Sequence, residues 1–113
     1  MLENGSYPWS AGFQSLTEER ELRLHVDGRI PSALRGTLYR NGPGRNNLAG
    51  EWFPHWFDGD GLIQAYTVSD QGIFHQRRFV RTRNYADETA AQRSLYRGFG
   101  KMRPGGLLAN FLR

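Results

Sequence analysis

The chain has 113 residues, 38% of them hydrophobic, 13% aromatic and 23% charged. That length sets one domain as the ceiling, and that composition excludes a disordered chain while leaving little apolar surface for a self-sufficient core. The formal net charge is +4, from 15 Lys and Arg against 11 Asp and Glu, and cysteine is absent, which excludes disulfides, thiolate zinc sites and a cysteine nucleophile.

Fourteen of the 15 cations are Arg, whose planar fork suits partly buried contacts between loops and strands. From Arg77 onward nine cations face only Asp87 and Glu88. They are scattered rather than clustered. This favours a surface resting against an acidic part of the same protein over one that grips nucleic acid or anionic lipid. Met1 to Gly12 lacks the basic start and apolar run of a secretory signal. No apolar run approaches the ~20 residues of a membrane helix. The absence of cysteine fits a cytoplasmic setting.

Met1 to Ser15, rich in Gly, Ser, Asn and Pro, reads as an extended arm whose Tyr7, Trp9 and Phe13 dock elsewhere. Thr17 to Glu21 is a helical turn or a loop. Leu22, Leu24 and Val26 alternate with Arg23 and His25, which predicts a half-buried strand ended by an Asp27-Gly28 turn. Gly36 to Arg40 predicts a second short strand, stopped by Asn41-Gly42-Pro43-Gly44. Arg45 to Pro54 reads as a polar loop. The paired Asp-Gly steps of Asp58-Gly59-Asp60-Gly61 predict a tight turn with positive φ at one or both glycines.

Leu62 to Val68 and Ile73 to Arg81 predict a hairpin joined by Ser69 to Gly72. Neither face of the second strand is cleanly apolar, which places it near an edge or under a covering loop. Asn84 to Tyr96 predicts a helix. Asp87 would be its N-cap or first-turn acid, Ala90, Ala91 and Leu95 its apolar stripe, and Gly98 its stop. Leu107, Leu108, Phe111 and Leu112 then follow with no element to bury them, so the chain is expected to continue in a longer protein.

Three histidines, His25, His55 and His75, fall on separate elements and do not share the spacing of a metal site. His55, ahead of Trp56 and Phe57, is a candidate ligand or base, but a ring packed on Trp56 or Phe57 is favoured. Asp58 and Asp60 begin a calcium-loop spacing without its later ligands, so carboxylates bonding backbone N–H groups are favoured. Gly42-Pro43-Gly44-Arg45 and Gly98-Phe99-Gly100-Lys101 do not match a phosphate loop, and no nucleophile triad is present.

Several motifs occur in a fixed order. Gly28-Arg29-Ile30-Pro31, Leu34 and Gly36-Thr37 come first, followed by Leu38-Tyr39-Arg40-Asn41-Gly42-Pro43. His55-Trp56-Phe57-Asp58-Gly59-Asp60-Gly61, Arg78-Phe79-Val80-Arg81-Thr82 and Tyr96-Arg97-Gly98-Phe99-Gly100 come after. Together they resemble the N-terminal region of the carotenoid cleavage oxygenase family, which also holds the retinoid isomerases of the retinal pigment epithelium. The resemblance runs from about Leu22 to Gly100. Small departures are Leu62-Ile63-Gln64 where Met and a nearby His are usual, and Thr89-Ala90-Ala91 where an Ala-Gly pair is usual.

The resemblance implies a mainly β fold: about one blade and part of another of a seven-bladed β-propeller with loop and helix cap segments. Residues 1–21 would form the arm and residues 22–113 an incomplete propeller domain. It implies a non-haem Fe(II) dioxygenase that uses O2 to cleave a conjugated double bond of a carotenoid or apocarotenoid to aldehydes. Fe(II) would be held by four histidines beyond Arg113, so this segment would contain no catalytic, cofactor or metal residue and would be inactive alone. Asn41, Gly42, Pro43, His55, Trp56, Phe57, Asp58, Gly59, Asp60 and Gly61 would be structural. The implied partners are the remaining blades, the substrate and O2, without nucleic acid. The implied setting is the cytoplasm with peripheral membrane contact. A second reading is a non-enzymatic module binding RNA or anionic lipid through its Arg-rich half with Phe79, Tyr85, Tyr96 and Phe99.

Overall fold

The computed structural model describes residues 8–99. Its centre is an antiparallel run of three strands: β2 (Gly36–Arg45), β5 (Asp60–Ser69) and β6 (Gly72–Phe79). Between β2 and β5 lie two short strands, β3 (Asn47–Leu48) and β4 (Glu51–Trp52). β5 carries Leu62, Ile63, Tyr66, Thr67 and Val68, side chains that fit a pleated, half-covered surface. Ser69 pairs with Gly72, so only Asp70 and Gln71 lie outside the ladder. Gly72 takes φ 116, a conformation that favours glycine at the exit of this turn.

β1 (Arg20–Leu24) does not join the strand that follows it in sequence. It pairs antiparallel with β6, giving the order β1-β6-β5-β2. β6 is therefore one place in from the edge, covered on that side by β1. Its polar residues are tolerated there because β1 and the segment before it answer them. Arg77 Nε donates to the Glu18 carbonyl at 2.9 Å. Arg78 pairs with Glu21 at 3.4 Å and Arg81 with Glu19 at 3.0 Å. Glu19 Oε1 also accepts the Phe79 N–H at 3.0 Å.

Register assigns the faces. Leu38, Tyr66, His75 and Leu22 lie in one row across the sheet, with Val68, Ile73 and Leu24 beside them. Tyr39, Ala65, Gln76 and Glu21 form a row on the opposite face. Buried apolar side chains among the described residues are few: Leu48, Leu62 and Phe79. Leu62 and Phe79 are a cross-strand pair at the end of the sheet where helix α1 (Arg83–Ala91) packs, with Tyr85 stacked on Phe79 at 5.3 Å.

Several boundaries differ from the sequence expectation. β1 lies two residues earlier than expected, so His25 follows it and is exposed. The Asn41-Gly42-Pro43-Gly44 run does not stop β2; the strand continues to Arg45 through a register shift at Gly44. The shift is a bulge, with Pro43 opposite Gly61 and Arg45 opposite Asp60. Proline is tolerated because, among the described residues, β2 has a neighbour on one side only. The expected polar loop from Arg45 to Pro54 contains β3 and β4, closed by Ala49 and Gly50 at φ 50 and 87. Positive φ at both turn residues is the two-residue hairpin geometry whose twist matches the strands.

The helix is shorter than expected. Thr82 is its N-cap, with Oγ1 accepting the Tyr85 N–H at 3.1 Å, and Asp87 sits in its second turn. It ends at Gln92 in the left-handed conformation, well before Gly98. Its buried residue is Glu88, while Ala90 and Ala91 are exposed. The arm is not extended throughout, because Pro8–Phe13 forms a 3-10 helix. The expectations placed on Tyr7, on the Trp9 side chain and on residues 100–113 lie outside the described residues.

Two predictions follow the strand chemistry. The Phe79 N–H and the Arg81 guanidinium hold the Glu19 carboxyl below its ordinary value of 4.5. A lowered folded value contributes stability above the unfolded pKa, lost as pH falls through the folded one. The denaturation midpoint should therefore drop on acidification below about pH 4.5, and Glu19→Gln should flatten that drop. Replacing Ala49 with Asn, which accepts left-handed backbone more readily, should raise stability by up to about 1 kcal/mol in the same denaturation experiment.

Candidate functional site

The two sequence motifs pack against one another at the α1 end of the sheet. His55 caps the 3-10 turn Trp56–Asp58, its Nδ1 accepting the Phe57 N–H at 3.1 Å. Its ring meets Phe57 at 4.9 Å and Phe99 at 4.4 Å. The favoured packing role is what the geometry gives, with Phe99 as an added partner. Trp56 instead receives Phe13 edge-on at 4.7 Å, so one arm aromatic does dock on the motif.

Gly59 has φ −65 and ψ 140, and Gly61 is not among the glycines of positive φ. The expected positive φ at this turn is thus corrected. Space is the reason for glycine. A Cβ on Gly59 would lie 2.7 Å from Pro43 Cβ and 2.8 Å from Asn46 Oδ1. A Cβ on Gly61 would lie 3.3 Å from Val80 Cγ2. At the bulge, a Cβ on Gly44 would lie 2.5 Å from Leu62 Cβ. The Asn41-Gly42-Pro43 and Asp58-Gly59-Asp60-Gly61 motifs are two sides of one close backbone contact.

The arm is strapped to the same place. Ser15 Oγ accepts the N–H groups of Asn46 and Asn47 at 2.8 and 3.1 Å, and donates to Asn47 Oδ1. Asn46 Nδ2 donates to the Phe13 carbonyl at 3.1 Å, and Leu16 N–H to the Gly44 carbonyl at 2.7 Å.

Asp60 and Arg45 form a largely buried ion pair, 2.5 Å between Oδ2 and Nε, with side chains 11% and 12% exposed. Arg45 Nη1 donates to Thr89 Oγ1 at 2.9 Å, and its guanidinium lies 4.5 Å over the Tyr85 ring. Asp58 accepts the Phe99 N–H. The favoured backbone-bonding role thus describes Asp58, and Asp60 is held by a guanidinium. Glu88, 2% exposed, accepts the N–H groups of Leu95 and Tyr96 at 2.8 and 3.0 Å. Tyr96 donates its hydroxyl to Asp87, which raises the phenol above its ordinary value. A cleft of about 250 Å³ opens between Asp58, Asp60, Thr82, Glu88 and Arg97.

These carboxylates are engaged in holding backbone and guanidinium groups. Among the described residues no three His, Asp or Glu side chains are grouped to hold a metal ion. His75 is buried on the interior strand, stacked on Tyr66 at 4.6 Å, with Nε2 3.2 Å from Gln64 Oε1. The three histidines are thus on separate elements, and these residues do not fit the iron of the implied family. The stacking surface required by the RNA-binding reading is also not assembled, since Phe79 is buried and Tyr85 is taken by Phe79 and Arg45. Sequence reasoning missed Arg45 and Glu88. The usable signal for Arg45 was a cation directly after a bulge-forming Gly-Pro-Gly.

Gly59→Ala should destabilise by about 1–3 kcal/mol through overpacking, whereas Gly42→Ala, with open space around it, should be near neutral in the same melt. Arg45→Met leaves Asp60 without its cation and should cost about 3 kcal/mol. Comparable melts for Gly59→Ala and Gly42→Ala would refute the contact assigned to Gly59.

Comparison with known proteins bears on what this geometry belongs to. Residues 13–112 match the family described as retinal pigment epithelial membrane protein. Apocarotenoid-15,15'-oxygenase of Synechocystis sp. is 43% identical over 103 residues, covering 88% of this chain and 21% of its own length. Human beta,beta-carotene 15,15'-dioxygenase is 36% identical over 81 residues, covering 72% of this chain and 15% of its own. The crystal structure of the cobalt-substituted Synechocystis oxygenase superposes with a TM-score of 0.80 at 43% identity, over 88% of this chain and 22% of that one. The chain thus spans about a fifth or less of the length of these relatives. With most of its length matched, and with its sheet reproduced in those structures, the chain belongs to the retinal pigment epithelial membrane protein family, the carotenoid cleavage oxygenases that its motifs resemble.

Proposed function

We propose that this chain supplies the first sheet of a non-haem Fe(II) oxygenase that cleaves a conjugated double bond of a carotenoid or apocarotenoid with O2. The observation that carries the reading is the 43% identity to apocarotenoid-15,15'-oxygenase across 88% of the chain. Surface chemistry supports it. Leu38 and Tyr39, adjacent on β2 and therefore on opposite faces, are 60% and 70% exposed. Apolar groups open on both faces fit a sheet flanked on both sides, as a blade is in a propeller. The partners of this segment are the other blades, and the iron ligands come from them. The described residues cannot assemble such a site, so no chemical step is assigned to them. The setting we propose is the cytoplasm, with peripheral contact to the membrane that dissolves the substrate.

The test is to read the frame beyond Arg113, express the longer product, load it with Fe(II) and supply apocarotenoids under O2. Shorter aldehyde products are expected, and none from the 113-residue chain alone. An iron-loaded longer product that cleaves no carotenoid or apocarotenoid would overturn the reading.

A further inference from the structure

Register places the end of β1, the start of β2 and the β5–β6 turn together at one end of the sheet, opposite the end that carries the two motifs. A cavity of about 760 Å³ lies there. Arg23 on β1, Arg29 in the loop after it and Arg35 just before β2 reach its lining, with His25 beside them. One carboxylate, Asp70, shares that lining.

Asp70 does not neutralise the group. Its Oδ1 is held by Arg35 alone, through Nε at 3.0 Å and Nη2 at 2.5 Å, and the Asp70 side chain is 90% exposed. Arg35 Nη1 is turned away, donating to the carbonyls of Pro31 at 3.2 Å and Leu34 at 2.7 Å. Arg23 rests over the Phe74 ring at 5.9 Å and against Gly72. Among the described residues neither Arg23 nor Arg29 has an anionic partner. Elsewhere in the sheet Arg45 and Arg78 pair with carboxylates, and Arg77 bonds a carbonyl.

Two unpaired guanidiniums in one concavity repel each other, and a multivalent anion between them relieves that repulsion. The guanidinium fork matches the oxygens of a phosphate group in shape and charge. The cavity is in the size range of small-molecule sites. We propose that this basin binds a phosphate-type oxyanion through Arg23 and Arg29, with Arg35 exchanging Asp70 for the ligand. The group is carried by a soluble phosphorylated molecule or by a phosphorylated lipid headgroup. The inference rests on the arginine placement and is independent of the oxygenase reading.

The experiment uses the full-length protein at low salt with two probes. One is inorganic tripolyphosphate, followed by titration calorimetry. The other is phosphatidylcholine vesicles with and without phosphatidylinositol phosphate, followed by co-sedimentation. Saturable binding is expected, weakened about tenfold or more by Arg23→Gln with Arg29→Gln, and unchanged by Arg93→Gln at an exposed site just past the end of α1. Tripolyphosphate binding alone assigns a soluble ligand, and binding only to phosphoinositide vesicles assigns a headgroup. If the double variant loses its near-ultraviolet dichroism, Arg29→Gln alone decides, since Arg29 is an exposed loop residue. Saturation by neither probe, or equal weakening by Arg93→Gln, overturns the proposal.

Discussion

The pairing of Arg45 with Asp60 is the constraint on which the rest of this end of the molecule depends. Both residues sit at the register shift, where β2 gains a residue over β5 and Arg45 faces Asp60 across the ladder. A bulge turns a strand and re-aims the side chain that follows it. Here it aims Arg45 beneath Tyr85 and toward Thr89, so a backbone irregularity in the sheet is fastened to the helix. Removing two charges from water is costly unless geometry and further hydrogen bonds compensate. The pair therefore says more about where the helix must sit than about net stability.

Carboxylates recur as fasteners of backbone. Glu88 collects Leu95 and Tyr96 N–H groups, Asp58 collects Phe99, and Glu19 collects Phe79. The first two act on the same returning segment after α1 and bring Phe99 onto His55. Helix, turn motif and return segment are thereby one hydrogen-bonded unit, with little help from an apolar core. This fits a protein region whose buried apolar side chains are few and whose aromatic surface is open.

The sequence exposed the strands and missed their arrangement. Alternation found β1, β5 and β6 because a period of two is a local property. It could not show that β1 skips over β2 and β5 to reach β6, because a partner across the ladder leaves no mark on spacing. The polar faces of β6 could not be explained from spacing for the same reason: Glu19 and Glu21, which answer Arg81 and Arg78, are local to another strand. Gly59 and Gly61 were correctly singled out, but for conformation rather than for contact, since composition cannot tell a left-handed glycine from a crowded one. The motif resemblance located the family. It did not point to Arg45 or Glu88, whose roles arise only when the elements meet.

The placement of β1 has a consequence for the order in which the molecule is made. Glu19 meets Phe79 across 60 residues of chain. Of the described strands β1 leaves the ribosome first, yet β6, its neighbour among them, emerges last of the six. The β5–β6 hairpin closes locally and β2 can add to it early, but β1 must wait with Leu22 and Leu24 uncovered. Long-range closure of this kind slows folding and extends the time that an unpaired strand is open to other chains. The acidic residues at Glu18, Glu19 and Glu21 keep that waiting strand charged until the arginines of β6 arrive.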